Sequence, residues 1–206
     1  MFLQAKEKFL IEKRYLCALI LKKTKLRIKR LFCRWILQVM GWKLHMEGDE
    51  VKKCVICVAP HTSNIDLTMG KLFYNAMGKK AKFLIKKEWF VFPLNFFFKG
   101  LGGIPINRSK KASTTEQLAV EFAKRDIFHL AIAPEGTRKK VREWKSGFYY
   151  IALKACVPIQ IGFIDYVKKE IGIKSTFYPT GNAHADILAI RAMYDGMRGY
   201  HRKNFI

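Results

Sequence analysis

Acidic residues are scarce in this chain. Over 206 residues, 16 Asp and Glu stand against 39 Lys and Arg, a formal net charge of +23. That imbalance points to an anionic partner: nucleic acid, acidic lipid or a phosphorylated substrate. The sequence carries no zinc-finger, helix-turn-helix or aromatic RNA-binding signature, so no nucleic-acid partner is expected. The charge is not a basic tail either. Residues 1–45 hold 12 Lys or Arg and 2 Glu, a net of +10, which leaves +13 on the rest of the chain. Long apolar runs are also missing. The longest near the start, Tyr15 to Leu21, is short of the roughly 20 residues a membrane span needs. It is followed by Lys22 and Lys23 with no small-residue cleavage site, so it does not read as a secretory signal.

Cysteines are few and odd in number: 17, 33, 54, 57 and 156. An odd count with no secretory signal fits a reducing compartment. Cys54-Val55-Ile56-Cys57 has a CxxC spacing, but no second pair completes a zinc site. The four residues also sit in a β-like run, where the two thiols would face opposite sides. A structural role is expected for both, and a core position for Cys156. No metal or cofactor is expected. A Gly-x-Ser-x-Gly elbow is absent, which argues against a serine hydrolase. There is no internal repeat and no low-complexity linker.

The present features begin with amphipathic patterning. Two basic helices are expected in residues 1–45. Phe2, Phe9, Leu16 and Ile20 mark the first, and Phe32, Trp35, Ile36, Val39 and Met40 the second, with Gly41 as its stop. They fit either a cover for the core or a helical layer in a membrane interface, apolar side down and cations over anionic head groups. Strand-like runs follow at 54–59, 82–85, 104–106, 129–133 and 158–164, and 169–177 reads as further edge strands. Helix-like runs lie at 67–77, 114–125, 148–155 and 185–198. This alternation predicts an α/β sandwich around a mostly parallel or mixed sheet, residues 46–206, behind a two-helix amphipathic N-terminal extension, residues 1–45. The segment from Trp89 to Phe98 is densely aromatic, interrupted by Pro93 and flanked by Lys86, Lys87 and Lys99. At ten residues it is too short to span a bilayer as a helix, and fits either core or an exposed apolar patch that meets lipid or an acyl chain.

The most informative stretch is His61-Thr62-Ser63-Asn64-Ile65-Asp66, directly after an apolar run. A histidine becomes a base near neutral pH when a carboxylate holds one ring nitrogen and leaves the other free. On one continuous helix His61 and Asp66 would stand about 140° apart. The expectation is therefore His61 in a loop that folds back on Asp66 in the first helical turn, with Ser63-x-x-Asp66 as a capping-box-like start. Three further strings follow in order: Gly102-Gly103-Ile104-Pro105-Ile106-Asn107-Arg108, Ala133-Pro134-Glu135-Gly136-Thr137-Arg138, and Val157-Pro158-Ile159. If ligands gather beyond the carboxyl ends of the strands, His61, Asp66, Arg108, Glu135 and Arg138 would converge there.

In that order, these strings resemble the four blocks of the glycerolipid acyltransferases of the 1-acylglycerol-3-phosphate acyltransferase type. The resemblance runs from about Cys54 to Asp165. Pro60 stands where that family commonly has Asn before the histidine, and Thr62-Ser63-Asn64 looks like a shorter bacterial branch. It implies acyl transfer from a thioester, acyl-CoA or acyl carrier protein, to the hydroxyl of a lysophosphatidic-acid-like acceptor in phospholipid biosynthesis. His61 would be the base and Asp66 its orienter. Arg108 and Arg138 would hold the acceptor phosphate, and Glu135, with Gly136 and Thr137, would position the acceptor. The enzyme would sit as a peripheral or monotopic protein on the cytoplasmic face of the membrane, against anionic lipid. Another lyso- or amino-acid lipid acceptor, and a non-catalytic basic protein that binds nucleic acid or membrane, are the alternatives.

Overall fold

The computed structural model describes residues 2–106 and 111–201, with side chains left aside at 2–14, 86, 89, 106 and 111–113. A single helix, α1 (Phe2–Val39), runs where two were expected. Between residues 16 and 35 the sequence has no Gly or Pro and is rich in Leu, Lys and Arg, so nothing breaks the helix before Gly41. At roughly 1.5 Å per residue it is about 57 Å long. Among its described side chains, those near its end dock on the domain: Cys33 and Leu37 are buried, and Arg30 Nε donates to the Ala76 carbonyl. The opposite side presents Leu21, Ile28, Phe32, Trp35 and Val39, all exposed and spaced so that they line one stripe.

Beyond α1 the elements are β1 (Lys43–Met46), β2 (Lys53–Ala59), α2 (Ile65–Ala76), β3 (Ala81–Lys86), α3 (Leu94–Leu101), β4 (Gly103–Ile106), α4 (Lys111–Ala123), β5 (Phe128–Ile132), α5 (Gly147–Lys154), β6 (Ile159–Asp165), β7 (Glu170–Phe177) and α6 (Ala183–Ala192). The sheet order is β1-β7-β6-β2-β5-β3-β4. Every neighbouring pair is parallel except β6 with β7. The mixed, mostly parallel sheet of the sequence reading is present. The division expected at residue 45 falls inside β1. That strand pairs with β7, so β7 lies inside the sheet rather than at its edge.

Side-chain alternation divides the core in two. Val55, Cys57 and Ala59 face one layer with Leu118, Phe122, Phe148 and Ile190 from α4, α5 and α6. Cys54 and Ile56 face the other, with Leu37 of α1 and Met69 and Phe73 of α2. Cys54 and Cys57 therefore point to opposite faces of one strand, and burial pushes both thiols up, Cys54 to about 12. Cys156 departs from expectation: it is exposed, at φ +51° just past α5, in the turn where its N–H donates to the Leu153 carbonyl. The helix predicted to 198 ends at Ala192, yet Tyr194 and Met197 still enter the core from the following turns. The aromatic segment forms a 3-10 turn, Lys87–Trp89, and then α3, none of whose described side chains is buried; Phe92, Phe96 and Phe97 stand in solvent.

Candidate active site

The parallel strands β2, β5 and β6 end on one edge of the sheet, and the segments that follow them carry the described polar groups. After β2 the chain passes through a cis Ala59–Pro60 bond into His61. The helix begins at Ile65, so His61 is in the loop and Asp66 in the first turn of α2. His61 Nδ1 and Asp66 Oδ2 are 3.1 Å apart. The Asp66 side chain is buried, whereas the imidazole is about a quarter exposed, at 26%. A carboxylate can only accept, so Nδ1 carries the proton and Nε2 offers its lone pair; no described residue bonds to that nitrogen.

Asp66 is fully coordinated. Oδ2 also accepts the N–H groups of Thr62 (2.8 Å) and Ser63 (2.9 Å), and Oδ1 accepts the hydroxyl of Tyr166 (2.7 Å). Burial works against the charge of Asp66. The hydrogen bonds from His61, the Ser63 amide and Tyr166 outweigh it and hold the carboxyl below its ordinary value. Half of the expected capping box is formed. Asp66 reaches back to the Ser63 N–H, but the Ser63 hydroxyl accepts from Ile65 N at 3.2 Å instead of from Asp66 N. The imidazole is thus paired with a carboxylate and not with Ser63, the one nearby serine that could compete as a nucleophile.

The loop after β5 closes on the same motif. Glu135 is buried, and its two oxygens accept the backbone N–H of His61 at 3.0 and 3.2 Å. Burial raises its carboxyl to about 7, against the opposing pull of the His61 bonds and charge. Gly136 follows at φ +63°, and a Cβ there would lie 2.9 Å from the Lys145 side chain, so the turn requires glycine. The turn sets Arg138 facing back across the gap, where its Nη1 donates to Asn64 Oδ1 at 2.9 Å. A cavity of ≈ 420 Å³ lies here, lined by Thr62-Ser63-Asn64, by Thr137-Arg138-Lys139 and by His201. Two cations, the His201 imidazole and several hydroxyls line this open space, which is large enough for a polar head group.

The acyltransferase family model matches residues 43–161, more than half of the chain. The chain belongs to the acyltransferase family. Among solved structures, the 1-acyl-sn-glycerophosphate (LPA) acyltransferase PlsC from Thermotoga maritima is similar in fold, with a TM-score of 0.54 at 17% identity, over 84% of this chain and 81% of that one. No curated protein sequence gives a significant match. A purely non-catalytic basic binder has no use for the imidazole–carboxylate pair, and the family model overlies that pair.

In this acyltransferase the folded chain brings together His61, Asp66, Glu135, Gly136, Thr137 and Arg138. Arg108 lies outside the described residues. Val157-Pro158 precedes β6 and so sits at the other end of the strand from these loops. Two contacts were invisible in sequence. Tyr166 reaches Asp66 from just past β6, 100 residues away. His201 comes from the C-terminal segment, where its N–H donates to Thr62 Oγ1 at 3.1 Å and where a Cβ on Gly199 would meet Thr62 at 2.6 Å. Neither belongs to a local motif, and only the fold could have found them.

Proposed function

We propose that this acyltransferase moves an acyl chain from a thioester to the hydroxyl of a lysophosphatidic-acid-like glycerolipid, in phospholipid biosynthesis. The observation that carries the reading is the His61–Asp66 pair, with Nε2 free, beside a cavity bearing Arg138, Lys139 and His201. The acceptor hydroxyl gives its proton to Nε2 as its oxygen attacks the thioester carbonyl. The resulting imidazolium is stabilised by Asp66. As the tetrahedral intermediate collapses, the new C–O ester bond remains, the C–S bond breaks, and the proton passes to the departing sulfur. No enzyme nucleophile takes part. The acceptor phosphate would pair with the Arg138 guanidinium, whose planar fork suits phosphate oxygens. The donor is acyl-CoA or acyl carrier protein; both are anionic and suit a chain of net +23.

The same reading places the enzyme at the cytoplasmic face of the membrane, peripheral or monotopic. No described helix is long and apolar enough to cross a bilayer. The exposed stripe of α1, with cations along its flanks, and the exposed phenylalanines at α3 give two apolar surfaces suited to an anionic interface. The test is to incubate the purified protein, in detergent, with labelled acyl thioester and a panel of lyso-acceptors. Label appearing chiefly in phosphatidic acid supports the reading. Label on a different lyso- or amino-acid lipid, with lysophosphatidic acid left unused, would replace the acceptor.

A further inference from the structure

Tyr166 stands outside every motif in the sequence, yet its hydroxyl sits 2.7 Å from the carboxylate oxygen of Asp66 that His61 does not use. The ring is held edge-on by Trp42, at 5.2 Å between centroids, and by Tyr200, also at 5.2 Å. The Tyr166 N–H donates to the Arg198 carbonyl at 2.9 Å. Three separate parts of the chain therefore fix this side chain: the connection after α1, the end of β6 and the C-terminal segment. A tyrosine so held has its O–H aimed at one acceptor.

We propose that Tyr166 is a positioning residue that sets both the orientation and the proton affinity of the His61–Asp66 pair. Asp66 Oδ2 already takes three donors from the motif loop itself, so the tyrosine is its only described contact from a distant part of the chain. Without that fourth donor the carboxylate would rotate more freely about its side-chain bond. Its uncompensated charge would also bind the imidazolium more tightly, so the pair would release its proton only at higher pH. Burial and the Asp66 contact together push the Tyr166 phenol above its ordinary range, so it stays a donor throughout the working pH range. Among the described residues, the other ionisable groups near the pair include Glu135, Arg138 and Lys139 from the loop after β5, Asp165 at the end of β6, and Tyr200 and His201 from the C-terminal segment. Asp165 is occupied by the N–H groups of Val167 and Lys168. Glu135, raised to about 7, overlaps the same window.

The inference rests on the proposed reading of His61 as the base, and the experiment separates the two. Tyr166→Phe keeps the ring and its contacts with Trp42 and Tyr200 and removes only the donor. In the full-length protein, the ring resonances of 13C-labelled His61, assigned with His61→Ala, report proton uptake by the pair without requiring turnover. Tyr166→Phe is expected to move that midpoint up by about half to one pH unit. The acid limb of the kcat profile should move with it, lowering kcat roughly 3- to 10-fold well below the midpoint while the acceptor KM stays unchanged. The same comparison in a Glu135→Gln background removes the overlapping carboxyl. An unmoved midpoint in that background overturns the inference, whatever happens to kcat. A moved midpoint in a protein that transfers no acyl group would keep the coupling and remove the functional reading beneath it.

Discussion

The carboxyl of Glu135 holds the backbone of His61, accepting its N–H at 3.0 and 3.2 Å across 74 residues of sequence. The loops after β2 and β5 are thereby locked to each other through a buried acid. The arrangement fixes where the imidazole begins, while Asp66 fixes where it points.

This buried acid gives the protein a distinctive pH dependence of stability. The Glu135 carboxyl is raised from 4.5 to about 7, so the folded state holds its proton more tightly than the unfolded chain does. Its contribution is fully present below pH 4.5 and is lost as pH rises through about 7. A shift of that size corresponds to about 3 kcal/mol, or roughly 6–12 °C in Tm. Asp66, with its lowered value, acts in the opposite sense and only below pH 3.8. Melting curves between pH 5 and 8 should therefore slope downward in the wild type and flatten in Glu135→Gln, which keeps one acceptor for the His61 N–H. Parallel slopes in the two proteins would rule out Glu135 as the source.

Arg138 is exposed and bonded to Asn64, so its loss should not disturb the fold. Arg138→Ala is expected to raise the acceptor KM roughly 10- to 150-fold, the value of one charge-assisted hydrogen bond. Arg138→Lys should rescue only part, because it keeps the charge and loses the fork. Steady-state kinetics with each substrate varied in turn decides the matter. A rise in donor KM alone would reassign the cavity to the thioester's phosphates.

Vesicle sedimentation tests the two exposed apolar surfaces separately. Anionic vesicles should bind the protein and release part of it in high salt, since each cation near such a surface contributes about 1 kcal/mol. Replacing Phe92, Phe96 and Phe97 with serine should weaken the salt-resistant part, and charge reversals along α1 the salt-sensitive part. Equal binding of wild type and both variants would count against these surfaces as the membrane contact.

Much of this was legible in the sequence, for local reasons. The strands β2 to β6 announced themselves because buried parallel strands are short apolar runs between turn signals. The His61 loop was readable because its partner lies five residues on. The features that were missed depend on distant chain. The strand β1, Lys-Leu-His-Met, is too short and polar to announce itself, and gains its place only from β7, 127 residues later. The same pairing moves β7 away from the edge where it was expected. Cys156 was assigned to the core by its apolar neighbours, whereas the left-handed turn after α5 swings it outward. Tyr166 is an ordinary aromatic at a strand end until the sheet brings it to Asp66.

The central claim is that His61 is the general base of acyl transfer, and His61→Ala tests it most directly. Turnover of a labelled acyl thioester onto lysophosphatidic acid should be measured for the wild type and for His61→Ala, with folding of both checked by circular dichroism. General-base catalysis is worth roughly 10²–10⁴-fold, so a folded variant that has lost two or more orders of magnitude is the expected result. Asp66→Asn should lose most activity as well, because the pair would lose the charge that stabilises the imidazolium. A folded His61→Ala enzyme turning over at near wild-type rate would contradict the account.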